Sequence, residues 1–194
     1  MRMIRLGTLI AAIVFPFHGA WAETVEKVAT YAVSGATGIE LYRSIGERGP
    51  KLGPTRAIAH TTFDLKWTRR YDGSGGACRL AVQRPHLVIT YTVPKAENLP
   101  ASVQDRWKTF ADGVLRHEKV HGQTIKDMVA EIERFSLEMR VADDPKCSKF
   151  RQQLTERLSA ISQAQRKQGR DFDRDEFAEG GNMQRLILGL VNGG

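Results

Sequence analysis

Residues 113 to 123 read GVLRHEKVHGQ, which places His117 and His121 four apart with Glu118 directly after the first histidine. On an α-helix such positions lie one turn apart on the same face, so two imidazoles can grip a single tetrahedral zinc ion. The carboxylate beside the first histidine projects to the flank of that stripe, where it can act as general base toward a water molecule. This is the HExxH arrangement of zinc peptidases, in which the ion polarises the scissile carbonyl and the glutamate takes the proton of the attacking water. The bland alternative is an exposed helix that happens to carry two histidines. Chance alone produces the pattern in a chain of this length at a rate on the order of one per cent. The chain has five histidines, and the motif concentrates two of them in one turn. Lys119 is the discordant neighbour, a charge where a buried zinc helix favours none. His18, His60 and His86 stand alone and read as ordinary leader, strand or loop residues.

A catalytic zinc site takes three protein ligands, and the motif supplies two. The longer HExxHxxGxxH form would put glycine and histidine where this chain has Thr124 and Asp127. Without that glycine the helix continues, carrying Asp127 about 9 Å along the axis from His121, out of reach of the same ion. Glu131, Glu133 and Glu138 lie farther still.

The elements that must position these residues can be read from pattern. Ser102 and Asp105 form a capping pair after Pro94 and Pro100, no proline follows until Pro145, and apolar residues from Trp107 to Phe135 recur at helical spacing. These features predict a long helix over about 103–140, interrupted only by Gly113 and Gly122 at about 1 kcal/mol each. A second helix is expected over about 149–167, with Leu154, Leu158 and Ile161 as its stripe. If the two run antiparallel about a turn near Asp143 and Asp144, His121 faces the region of Arg166 and His117 that of Arg170. The acidic segment RDFDRDE begins there, so Asp171, Asp173, Asp175, Glu176 and Glu179 become the candidates for the third ligand.

Residues 23–93 have the texture of strands and turns: VEKVATYAVSG, TTFDLKWTRRY, ACRLAVQ and HLVITYTV, divided by DGSGG and RP, with room for one short helix in SGATGIELYRSIGERG. The expected fold is α+β, a small and mostly antiparallel N-terminal sheet followed by a zincin-like long-helix hairpin over 101–170. A tail over 171–194, acidic and then apolar, completes it.

Residues 1–22 combine Arg2 and Arg5, an apolar run from Leu6 to Phe17 and the tripeptide Ala20-Trp21-Ala22, the marks of a secretory signal peptide cleaved near Ala22-Glu23. The mature chain, 23–194, is then periplasmic or secreted, with the length of one domain. Loss of the two arginines lowers the formal charge from +7 to +5. That charge is spread along the chain, which argues against a nucleic-acid partner. No later stretch is apolar enough for a transmembrane segment. The two cysteines, Cys78 and Cys147, both fall in the exported part, where pairing into a disulfide is the default.

The opening YAVSGATGIELYRSI, the strand TTFDLKW, LRHEKVHG on a helix and one cysteine on either side of that helix resemble a bacterial family known as domain of unknown function 922, regarded as predicted secreted zinc-dependent proteases. The resemblance covers nearly all of the mature chain, its most specific part being His117-Glu118-x-x-His121-Gly122. The family carries a C-terminal motif Tyr-Asp-x-x-Thr-x-His-Gly, matched here by Phe172-Asp173-Arg174-Asp175-Glu176, with Phe for Tyr, Glu for Thr and no histidine following. The resemblance therefore makes Asp173 the first choice for the third ligand. The departure from the motif keeps a degenerate, non-catalytic envelope protein as the alternative to an exported peptidase that cleaves peptide or protein substrates with one zinc ion.

Overall fold

The computed structural model describes residues 23–192. The expected signal peptide, residues 1–22, lies outside them. Strand β1 (Glu23–Val33) leads through helix α1 (Gly38–Arg48) and a small hairpin, β2 (Lys51–Leu52) and β3 (Thr55–Arg56), into the long strands β4 (His60–Asp72) and β5 (Cys78–Ala96). Helix α2 (Ala101–Glu138), the short strand β6 (Arg140–Val141), and helices α3 (Ser148–Phe177) and α4 (Asn182–Asn192) follow. The architecture is α+β, with the N-terminal sheet preceding the helices.

β4 and β5 form an antiparallel hairpin around residues 73–77, as the alternation and the DGSGG stretch predict. β1 lies on the other side of β5 and runs parallel to it, so the sheet order is β1-β5-β4. Strand texture does not distinguish parallel from antiparallel pairing. Here the direction of β1 follows from the crossover through α1 and β4.

The expected break at Arg84-Pro85 and the expected linker from Pro94 are not found: both prolines lie within the continuous strand β5. Each sits where β5 has a neighbour on one side only: β1 pairing begins at His86, and β4 pairing extends no farther than Thr92. A proline is tolerated where its missing N–H leaves no ladder bond unmade.

α1 begins with a capping box, Glu40 N–H donating to Thr37 while the Glu40 carboxylate reaches back to the Thr37 amide. α2 starts at Ala101 with Pro100 as its cap, so Ser102 lies inside the helix and does not cap it as expected. Its buried residues track the predicted stripe: Val103, Trp107, Phe110, Val114, Ile125, Met128, Val129 and Ile132 pack on β5 and α4. Gly113 and Gly122 mark close approaches, to Leu186 of α4 and Tyr91 of β5. α3 runs ten residues past the expected end at Lys167, because nothing in RDFDRDEF breaks a helix and its acids pair at helical spacing with Lys167 and Arg174. The acidic stretch is thus the last turns of α3. The apolar tail forms α4, which buries Met183 and Leu190 against α1 and α2.

Cys78 and Cys147 are joined in a disulfide with Cα atoms 5.2 Å apart. The bridge ties the first residue of β5 to the residue before α3, where β6 also pairs with β5 at Cys78↔Val141. The Asp144 carboxylate caps α3, accepting from the Ser148 and Phe150 amides at 2.9 and 2.8 Å.

Candidate metal centre

The apolar stripe of α2 is interrupted between Val114 and Ile125, where His117, Glu118 and His121 take the inward positions. His117 and Glu118 are each 5% exposed, while Val120 points outward and Lys119 lies in solvent. Three helical turns of an otherwise hydrophobic face thus carry polar groups into the protein, an arrangement that needs partners to be stable.

α3 supplies one partner. Asp173 Oδ1 lies 3.2 Å from His117 Nε2 and 2.8 Å from His121 Nε2, and the two Nε2 atoms are 3.2 Å from each other. Three ligands at the usual zinc distances of about 2.0–2.2 Å, arranged tetrahedrally, would stand roughly 3.3–3.5 Å apart. The cluster therefore has the atom types and nearly the spacing of a two-histidine, one-carboxylate site, and only small movements would open it around an ion. Among the described residues it is the one group of three or more histidine, cysteine or acidic side chains that can hold a metal.

Burial opposes the charge on Asp173, but the bonds to His117 and His121 and their charges prevail and hold its carboxyl well below the usual range. Burial likewise opposes protonation of His121, yet the Asp173 bond and the nearby Asp173 and Glu118 charges raise its pKa. The site is thus electrostatically suited to a cation.

Of the other acids weighed from the sequence, Asp171 pairs with Lys167 and Arg174, and Asp175 pairs with Arg174 on the outer face of α3. Glu179 sits exposed in the turn after α3. Glu176 reaches the site at the other end of the His117 ring, its Oε2 3.6 Å from Nδ1, and so is not grouped with the two Nε2 atoms. The helices are shifted by about one turn from the predicted register: His121 lies beside Gly169, and Gln165 donates to Thr124 at 3.1 Å. The connection between them is not a symmetric turn, since it forms β6 and the disulfide on its way.

Glu118 faces β4. Thr61 Oγ1 lies 2.5 Å from Glu118 Oε2 and 3.1 Å from the Glu118 carbonyl oxygen, which fixes the carboxylate in one orientation. Thr61 went unnoticed in the sequence, where it is one of two threonines opening a strand and nothing local sets it apart. Phe172 and Phe177 were also missed as site residues. Phe172 stacks on His117 with ring centres 4.8 Å apart and 22° between planes, and Phe177 meets it edge-on at 5.8 Å. His117, Glu118, His121 and Asp173 all line one cleft of about 700 Å³ between the start of β4 and α3. His60 contributes to its wall, whereas His86 is remote, paired with Glu23 at 3.1 Å.

The family model described as "Bacterial protein of unknown function (DUF922)" matches residues 28–181. The chain belongs to this family. The matched DUF922 segment runs from β1 to the end of α3 and includes both cysteines, the HExxH motif and Asp173, so it spans every residue of the cluster. No curated protein and no solved structure matches the chain. Membership in DUF922 brings a shared sequence pattern and no assigned reaction.

Proposed function

We propose that the protein is an exported zinc-dependent peptidase in which His117, His121 and Asp173 hold the ion and Glu118 is the general base. The observation that carries this reading is the convergence of two imidazoles, one aspartate and a buried, oriented glutamate on a single cleft of the size that binds ligands. Zinc bound there supplies Lewis-acid polarisation of the scissile carbonyl. Glu118 takes the proton of the attacking water and passes it to the departing amine nitrogen. Thr61 keeps the receiving oxygen pointed in one direction, and the Phe172 and Phe177 rings shield the His117 end of the cleft from solvent.

Three features favour a peptide substrate. β4 is an edge strand of the sheet whose first residues line the cleft, so an extended chain can add to its free edge by main-chain hydrogen bonds. Phe63 and Phe177, 44% and 45% exposed, offer apolar contacts in the same cleft, and Arg56, Arg166 and Arg170 line it with positive charge. Peptides with large apolar and acidic side chains near the scissile bond fit such walls. No helix among the described residues is long and apolar enough to cross a membrane, and the disulfide suits an oxidising compartment.

The test is a peptide-library digest with zinc-loaded wild type and Glu118→Gln, alongside elemental analysis of both. The expected result is cleavage by the wild type, near one zinc per chain in each protein, and a loss of at least about 100-fold in rate for the variant. Equal cleavage by the two proteins would remove Glu118 from the mechanism. A wild type that takes up no zinc would overturn the reading altogether.

A further inference from the structure

The His117 ring has a carboxylate at each end. Nε2 faces Asp173 Oδ1 at 3.2 Å, and Nδ1 faces Glu176 Oε2 at 3.6 Å. The Nδ1 atom is buried and has no hydrogen-bond partner, an expensive state for a polar group. A neutral imidazole carries one N–H, so it cannot donate to both carboxylates. With the proton on Nδ1, the Nε2 lone pair points at the Asp173 oxygen, and two electron-rich atoms then face each other unless a cation stands between them.

We infer that Glu176 is the positioning carboxylate for His117: it accepts the Nδ1–H, fixes the tautomer that leaves Nε2 free, and so prepares that nitrogen for the metal. This inference rests on the metal site proposed above. The distance from Nδ1 to Oε2 exceeds the upper hydrogen-bond limit of about 3.2 Å by only a few tenths of an ångström, a gap that a small torsion of the glutamate closes. Phe172 and Phe177 pack on the ring and keep other donors and acceptors away from it. Glu176 is itself held from behind, its Oε2 accepting from Asn182 Nδ2 at 3.1 Å. Asn182 is the first residue of α4, which is anchored in the core through Met183 and Leu190. The docking of the C-terminal helix is thereby connected to the ligand geometry, in the way carboxylate–histidine pairs tune other metal sites.

The experiment measures zinc affinity by competition with a chromophoric chelator, together with ¹⁵N NMR of the histidine rings, on the full mature chain. The proteins are the wild type, Glu176→Ala, Glu176→Gln, Asp173→Ala and the exposed control Asp175→Ala. Glu176→Ala should weaken zinc binding by roughly 10- to 100-fold. Glu176→Gln, which keeps an acceptor oxygen without the charge, should lose less. In the zinc-loaded wild type the His117 ring should show a protonated Nδ1 whose proton is protected from exchange, and this signal should shift or exchange faster in both Glu176 variants. Asp175→Ala should match the wild type. If Asp173→Ala weakens binding while both Glu176 variants keep wild-type affinity and an unchanged Nδ1 signal, the positioning role is refuted and the metal site stands. If Asp173→Ala also leaves the affinity unchanged, the metal site itself is wrong and the role of Glu176 falls with it.

Discussion

Replacing Gly122 by alanine sets helix propensity against packing. In an exposed helix the change stabilises by about 1 kcal/mol, because glycine gives up more backbone freedom on folding. At this position α2 rests directly on β5: a Cβ built on Gly122 would lie 2.8 Å from Cε1 and Cζ of Tyr91, with the Tyr91 hydroxyl closer still. The tyrosine has no room to yield. It is 1% exposed, packs among Ile125, Val129 and Leu87, and donates from its hydroxyl to Glu26 Oε2 at 3.0 Å. Overpacking of this kind costs about 1–3 kcal/mol, and loss of the Glu26 bond adds about 1 kcal/mol. After the propensity gain is subtracted, the net is a destabilisation of about 2 kcal/mol, or roughly 4–8 °C in Tm for a domain of this size. The neighbouring residue is His121, so lifting α2 from the sheet should also weaken zinc binding at the proposed site. Equilibrium urea unfolding followed by circular dichroism measures the first effect and chelator competition the second. Gly46→Ala and Gly189→Ala serve as controls, since both glycines are helical with nothing within 4 Å of an added Cβ; each should stabilise by about 0.5–1 kcal/mol. A Gly122→Ala protein as stable as the wild type would show that the helix-to-strand contact does not constrain this position.

Other expected outcomes follow from the same contacts. Asp173→Ala, His117→Ala and His121→Ala should each lose zinc binding, whereas Asp127→Ala, Glu131→Ala and Glu179→Ala should keep it, measured by equilibrium dialysis; equal loss in both sets would dissolve the assigned ligand set. Thr61→Val should lower kcat by about tenfold or more with zinc content unchanged, because the hydroxyl that orients Glu118 is gone while the ligands are untouched; steady-state kinetics with an unaltered kcat would refute it. The paired substitution Cys78→Ser with Cys147→Ser opens a crosslink of 69 residues, worth about 4 kcal/mol in the chain-entropy model. Urea unfolding should reveal a large loss, and a midpoint shift of less than a few tenths molar would contradict it.

Much of the candidate site could be read from the chain because the information is local. Four-residue spacing on a helix places His117 and His121 on one face whatever surrounds them, whereas the choice between Val120 and His121 for the inward position of the stripe was settled only by packing, which leaves Val120 outside. Cys78 and Cys147 were paired by number and compartment. Other features have no local signature. β1 reads as a strand of a mostly antiparallel sheet yet pairs in parallel, a direction its own residues do not encode, and α4 reads as a loose apolar tail until α1 and α2 give it a surface. Gly113 and Gly122 read as helix defects, although each lies where Leu186 or Tyr91 approaches too closely for a side chain.

The choice among the five acids shows most clearly where sequence stops. Their composition and distance along the chain brought all of Asp171, Asp173, Asp175, Glu176 and Glu179 into consideration, and the family motif favoured Asp173. Which oxygen meets the imidazoles depends on the rotation and register of α3 against α2, set by packing at Gly169, by Phe172 on His117, and by the disulfide and β6 at the far end of the hairpin. A shift of one helical turn separates the predicted facing pairs from the observed ones, and two residues along α3 separate Asp173 from Asp175, an acid in solvent. Helical periodicity is a property of neighbouring residues, so the chain alone determined the histidine face and its glutamate. The partner of that face, the hydroxyl of Thr61 and the carboxylate behind His117 come from segments about 55 or more residues away, and only the packed core brings such segments together.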